Sequence, residues 1–281
     1  MTAALPTPGD GPLAGLRVLV PRPTAGQSAA AIALTAAGAT PVVVPLIAIE
    51  PPADPGPLDD ALRALGAGWY RWLVVTSGAA VPVLADRAAA AGRALPDLVA
   101  GGGVLVAAVG PGTARALAAA GLTAALTPRG ASTGANLAAQ WPAPRADETA
   151  RVLFARGDLA ASTVADGLRA RGWLVDEVIA YRTVAAPAPP DDVRADWQAG
   201  RIDAALLTSA STVRALVDSL GMPPAGTALV AIGPTTAAEA ARLGVPLAAT
   251  AAEQTMSGLV EALAAHVGQS YTPPLPPSEA S

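Results

Sequence analysis

The 281-residue chain has no cysteine and no lysine, one histidine and one phenylalanine. Without cysteine there is no disulfide, no thiol nucleophile and no thiolate metal site. Without lysine there is no Schiff-base chemistry. The single histidine is His266. A zinc site draws several ligands from Cys and His, and a Ser-His-Asp triad needs its imidazole; neither is expected from this composition. His266 itself reads as part of a solvated last helical turn, where a cation suits the helix dipole. Charged residues make up 14% and aromatic residues 3%. The formal net charge of −4, with no basic stripe interleaved with aromatics, argues against a nucleic-acid partner. The opening MTAALPTPGDGPLAG has neither a basic start nor an apolar h-region. No apolar run reaches membrane-spanning length. A cytoplasmic protein with no membrane partner is the expectation.

What the chain does have is repetition. Residues 17–52 and 151–186 align without a gap at a constant offset of 134. Arg17 meets Arg151, Arg22 meets Arg156, Leu34 meets Leu168 and Gly38 meets Gly172. Each copy is an apolar run, a turn, an amphipathic stretch, a glycine stop and a second apolar run, which predicts strand–helix–strand. WLVVTSGAAVPVL at 72–84 matches AALLTSASTVRAL at 204–216. VAAVGPGTARALAAAG at 106–121 matches LVAIGPTTAAEAARLG at 229–244. The stretches at 132–140 and 255–264 match more weakly, as closing helices. Alternating strands and helices of this length predict an α/β fold with parallel sheets covered on both faces. Five short strands per domain suggest two flavodoxin-like doubly wound domains built from a duplicated unit.

The domain boundaries are open at this level. A plain tandem would break near Pro142 to Glu148. The Pro-rich stretches EPPADPGPL at 50–58 and VAAPAPPDD at 184–192 follow the strand–helix–strand of each copy. Matched breaks there look like paired domain crossings. The Pro-, Ser- and Gly-rich ends, 1–12 and 268–281, read as disordered tails.

Ligands of parallel α/β sheets bind beyond the carboxyl ends of the strands. Three polar loops recur there in both copies. They hold Arg22 or Arg156, Thr76-Ser77 or Thr208-Ser209, and Gly110-Pro111-Gly112-Thr113 or Gly233-Pro234-Thr235-Thr236. Each opens a helix, whose free N–H groups and partial positive charge suit carboxylates or phosphates. Each is also an ordinary cap, since Ser and Thr favour the N-cap, Pro the first helical position and Gly a tight turn. Their pairing in both copies points to an anion-binding cleft between two domains. Neither a GxGxxG after the first strand nor a Walker sequence is present, so nucleotide binding has no support. One asymmetry stands apart. Where the first copy has Ile47 the second has Tyr181. Tyrosine packs well in strands, and its phenol, with an ordinary pKa of about 10, is also a proton donor at neutral pH.

Taken together, VVTSGAAV (74–81), AVGPGTARAL (108–117), LFARGDLAASTVADGLRARGWLVDEVIAYRTV (153–184), LLTSASTVRAL (206–216) and AIGPTTAAEA (231–240) resemble the uroporphyrinogen-III synthase family, across nearly all of residues 13–267. The resemblance implies two flavodoxin-like domains joined by a two-stranded connection. It places residues 13–49 with 184–267 in a first, discontinuous domain and 50–183 in a second. It implies a cyclising lyase of tetrapyrrole and heme biosynthesis that needs no cofactor. Its substrate would be hydroxymethylbilane, held between the domains. Loss of water at ring A gives an azafulvene, attack at ring D a spiro-pyrrolenine, and reclosure with ring D inverted uroporphyrinogen III. Tyr181 matches the family tyrosine that helps the hydroxyl leave. Thr76, Ser77, Thr113, Ser209 and Thr236 match polar substrate-binding positions. Arg22 and Arg156 join them on the strength of their matched loops. The expected protein is a monomer whose partner contact is transient, with hydroxymethylbilane synthase. The rival readings are a non-catalytic two-domain binding protein for a polyanionic metabolite and a regulator keeping a degenerate synthase fold.

Overall fold

The computed structural model describes residues 11–21, 29–146 and 149–270. Of the expected tails at 1–12 and 268–281, residues 1–10 and 271–281 lie outside them. The first strand–helix–strand is β1 (Arg17–Val20), α1 (Ala29–Ala36) and β2 (Thr40–Val43). After β3 (Ile47–Glu50) follow α2 (Gly56–Gly66), β4 (Trp72–Val75), α3 (Ala80–Ala90), α4 (Leu95–Gly101), β5 (Leu105–Ala108), α5 (Pro111–Ala119) and α6 (Gly134–Ala139). The second copy opens with β6 (Arg151–Gly157), α7 (Thr163–Arg169) and β7 (Leu174–Ala185). It continues through α8 (Asp191–Gln198), β8 (Ala204–Leu207), α9 (Ala210–Leu220), β9 (Ala228–Ala231), α10 (Pro234–Arg242), β10 (Ala249–Thr250) and α11 (Met256–Ser270).

The 134-residue offset is kept in the strands: β1 and β6, and β2 and β7, start that far apart. Gly38 and Gly172 end the two matched helices at φ of 88° and 92°. Only a residue without a Cβ takes that left-handed conformation freely. The copies differ at α4, which has no counterpart between α9 and β9. The last helix runs to Ser270, beyond Gly268, where the sequence suggested the folded chain would end. Gly11 and Pro12 are likewise placed, in a turn whose Leu13 is fully buried.

The strands form two five-stranded sheets, ordered β10-β9-β8-β1-β2 and β3-β7-β6-β4-β5. In the first, β1 runs parallel to both β2 and β8. In the second, β4 runs parallel to β5 and β6, and β6 to β7. The first copy's β1 and β2 therefore share a sheet with the second copy's β8 to β10. The chain divides into two compact units, residues 1–48 with 185–281, and residues 49–184. It passes between them twice, within β3 and within β7.

Alternation along each strand builds a core on either face of its sheet. In β4, Leu73 and Val75 join the cluster under α2, α3 and α4, while Trp72 and Val74 join the one under α6 and α7. In β1, Leu19 faces one cluster and Val18 and Val20 the other. Four-residue strands buried on both sides, such as β4 and β8, are what a parallel sheet between two helical layers requires. No helix among the described residues is long and apolar enough to cross a membrane.

Candidate functional site

Parallel pairing puts the carboxyl ends of β4, β5 and β6 on one edge of the second sheet, and the sequence-predicted loops with them. Thr76 and Ser77 follow β4 directly. Helix α3 begins at Ala80, and its N-cap, Ala79, offers no side-chain cap. Ser77 instead closes the turn before it. Its Oγ accepts the Ala79 N–H at 3.2 Å and its carbonyl accepts the Ala80 N–H at 3.1 Å. The glycine–proline loop after β5 caps α5 through Gly110, with Pro111 at the first helical position and no side-chain cap. The N–H groups of Gly112 and Thr113 sit in the first turn, where a helix supplies no acceptor. Thr113 is buried. Gly110 owes its identity to a close approach: a Cβ there would lie 2.4 Å from Ser132 Oγ.

The first sheet repeats this geometry with different detail. Ser209 is a true N-cap of α9, its side chain accepting the Thr212 N–H at 3.2 Å. Its hydroxyl also lies 2.6 Å from Thr212 Oγ1 and 2.9 Å from Ser211 Oγ. Thr212 is fully buried. Gly233 caps α10 with Pro234 following it, and a Cβ on Gly233 would meet the Gln254 side chain at 3.0 Å. Thr236, like Thr113, stands at the third helical position and is buried. Arg22, the matched basic residue of this edge, lies outside the described residues.

Tyr181 belongs to the second sheet's edge. It is half-buried, and its hydroxyl lies near the Ser77 side chain. Burial pushes the phenol above its ordinary value; the Ser77 side chain acts in the opposite direction, and the Asp158 carboxylate adds to the rise. The backbone beside it is irregular. Arg156 pairs with Ile179 but Gly157 pairs with Tyr181, so the register slips by one residue. This β-bulge has a visible effect. Ala180 and Tyr181 are consecutive, yet both pack against the same cluster as Ala155, which strict alternation forbids. Asp158 secures the slip. Its N–H donates to the Tyr181 carbonyl at 3.1 Å. Its Oδ1 accepts the N–H groups of Leu159 and Thr183, both at 3.0 Å.

Arg156 is engaged locally. Its Nη1 reaches the carbonyls of Gly157, Asp158 and Ala160 at 3.2, 3.5 and 3.3 Å. Its Nε lies 2.9 Å from Glu177 Oε2 as an ion pair, off line for a hydrogen bond. The guanidinium thus ties the loop after β6 together. His266 is half-buried within α11.

Sequence reading missed Gly157, Asp158, Ser132, Thr212 and Gln254. Thr212 had a signal, a hydroxyl three places after a Ser cap. For the others the contact is made across the fold and nothing local announces it.

The family model described as uroporphyrinogen-III synthase HemD matches residues 28–261 of the chain. A uroporphyrinogen-III synthase of Synechococcus elongatus is 30% identical over 261 residues, covering 90% of this chain and 96% of that protein. Among solved structures, a mutant uroporphyrinogen III synthase of the extreme thermophile Thermus thermophilus superposes with a TM-score of 0.63 at 21% identity, over 91% of this chain and all of that one. The uroporphyrinogen-III synthetase of Helicobacter pylori gives a TM-score of 0.54 at 14% identity, over 88% of this chain and 97% of that one. At these identities the solved structures speak for the fold alone. The family model and the Synechococcus protein speak for the family.

Proposed function

Because the chain belongs to the uroporphyrinogen-III synthase family, we propose that it binds hydroxymethylbilane at the carboxyl ends of its strands and closes it with ring D inverted, using Tyr181 as the proton donor. The chain is a cyclising lyase of tetrapyrrole biosynthesis with a small-molecule substrate. A non-catalytic binding role is not favoured by a match that runs through almost the whole length of a curated synthase.

The first step breaks the bond between carbon and oxygen at the hydroxymethyl group of ring A. The pyrrole nitrogen pushes, and the oxygen leaves as water with the Tyr181 proton. Ring D then attacks the azafulvene through its substituted carbon. Fragmentation of the spiro intermediate and reclosure invert the ring. The proton released when the pyrrole becomes aromatic again returns to the phenolate. Folding the chain into the near-attack geometry is most of the task, and this calls for main-chain and hydroxyl donors more than for strong acids and bases. Thr76, Ser77, Thr113, Ser209 and Thr236, with the first-turn N–H groups beside them, are the proposed carboxylate-binding positions. Arg156 is assigned the task of shaping the loop after β6. Arg22 is retained as a substrate-binding residue on its matched position alone.

The observation that carries the proton-donor role is the placement of the Tyr181 phenol, over Gly157 at the carboxyl end of β6 and near Ser77, where burial pushes it above its ordinary value. A phenol so placed stays protonated through the neutral range. The deciding experiment is isomer analysis of the product made from hydroxymethylbilane by the purified protein. Predominantly type III product is expected. Type I product alone, as forms without enzyme, would refute the assignment.

A further inference from the structure

The stretch RGD at 156–158 sits inside the longest of the matched stretches, 153–184, yet the reaction as set out gives its glycine and aspartate no work. Their surroundings do. A Cβ built on Gly157 would lie 2.6 Å from Tyr181 Cζ, 2.7 Å from its Oη and 2.9 Å from its Cε2. The hydroxyl end of the ring therefore lies directly against the Gly157 backbone. Strand order explains why it must. Strand β6 stands between β7, which carries Tyr181, and β4, which delivers Ser77. The phenol has to cross β6 to reach Ser77, and a bare backbone at Gly157 lets it pass. Gly157 is not in the left-handed region, so its backbone would accept alanine. What excludes a side chain is the ring.

The second part is the aspartate. Without the register slip, alternation would turn Tyr181 to the opposite face from Ala180. Asp158 fastens β7 immediately after the slip, at the Tyr181 carbonyl and at the Thr183 N–H. The first copy has Pro23 and Thr24 at the places of Gly157 and Asp158, and Ile47 at the place of Tyr181. Seat, clamp and tyrosine occur together in one copy.

We propose that Gly157 and Asp158 are positioning residues for the cyclisation: Gly157 is the seat over which the Tyr181 ring reaches Ser77, and Asp158 is the clamp that holds the bulge turning the ring toward it. Neither touches substrate in this scheme. The catalytic half of the inference rests on the proton-donor role of Tyr181; the placement half does not.

Gly157→Ala, Asp158→Ala and Asp158→Asn test it. In Gly157→Ala the ring, being the far end of a side chain, swings away, so thermal unfolding should change little. The turnover number should fall tenfold or more, since misplacing a group by about 1 Å costs on the order of 10²-fold, while KM stays within about threefold. Asp158→Ala should behave alike. Asp158→Asn, whose Oδ1 still accepts both N–H groups, should recover most of the turnover. Tyrosinate absorbance, taken as a difference against Tyr181→Phe, reads the placement directly. In Gly157→Ala the Tyr181 phenol should titrate closer to its ordinary value of 10.0 than in the unaltered protein. In the Tyr181→Phe background, Gly157→Ala should add little further loss. An unchanged titration and unchanged turnover in Gly157→Ala would overturn the seat. Full additivity with Tyr181→Phe would show that Gly157 acts through another group. An Asn variant no better than the Ala variant would overturn the clamp. Unaltered turnover in Tyr181→Phe itself would remove the proton-donor reading, and the titration would still decide the seat.

Discussion

Ser77 and Ser209 occupy the same place in the two copies and do different jobs. Ser209 is a helix cap, so Ser209→Ala should cost about 1 kcal/mol, as lost Ser caps do, read from chemical denaturation. Ser77→Ala removes no helix cap and should cost clearly less stability while still disturbing turnover through Tyr181. Equal losses of stability in the two variants would contradict this division. For Tyr181 itself, the Phe variant should keep its fold and still give mainly type III product, with turnover lowered by about 10- to 100-fold. That is at or below the roughly 10²–10⁴-fold typical of a general acid, because the pyrrole nitrogen drives the hydroxyl out. A switch to type I product would mean that Tyr181 positions the substrate instead. A chain without cysteine, whose one histidine stands on α11, also predicts that prolonged chelation leaves turnover unchanged. A loss restored by one particular divalent ion would refute that. At this scale the sequence exposed Tyr181, because tyrosine interrupts a repeat at Ile47. It hid Gly157 and Asp158, because their roles depend on a one-residue slip between two strands that no local pattern encodes.

Elements were more legible than single contacts. Apolar runs cut by glycine, and a constant offset between copies, are direct consequences of strand and helix period, so β1, α1 and β2 could be laid over β6, α7 and β7. The end of α11 was less visible, because Gly268 reads as a stop although a helix tolerates an exposed glycine at about 1 kcal/mol. Between elements, Glu239 of α10 joins Arg242 of its own helix and Arg214 of α9, each at 2.8 Å. Hydrogen bonding to Arg242, with Arg214 adding to it, pulls the carboxyl down to about 2. A depressed carboxylate stabilises the fold above its unfolded value of 4.5 and loses that contribution as pH falls toward about 2. Both arginines are more than a third exposed, so screening limits the effect to about 0.5–1 kcal/mol. Glu239→Gln should therefore lower stability by that amount at pH 7 and by almost nothing near pH 2. A gap of the same size at both pH values would show that packing, not charge, is lost.

For the whole molecule, the fold class followed from alternation and repetition alone, whereas the choice of which copy pairs with which did not. Periodicity is the same in a tandem and in a crossed arrangement; the difference lies in pairings such as β1 with β8 and β4 with β6. Those pairings make a prediction about fragments. Residues 49–184 contain β4, β5 and β6 and should unfold in one cooperative transition as an isolated polypeptide. Residues 1–146 lack β6 beside β4 and β8 beside β1, and should not. A sharp transition for 1–146 with none for 49–184 would reverse the conclusion.

The crossing also sets an order of assembly on the ribosome. Residues 49–184 are contiguous, so that unit is complete as soon as β7 has been made. β1 and β2 emerge first, but the second edge of β1 has no partner until β8 follows, roughly 160 residues later, a wait of about 10–30 seconds at ordinary rates of synthesis. During that time a two-stranded piece of bare parallel sheet is exposed to every chaperone and every neighbouring nascent chain. The oldest part of the polypeptide is thus the last to be protected, and slow codons or a stalled ribosome between β7 and β8 would prolong the exposure of β1 and β2 without touching the unit that carries Tyr181.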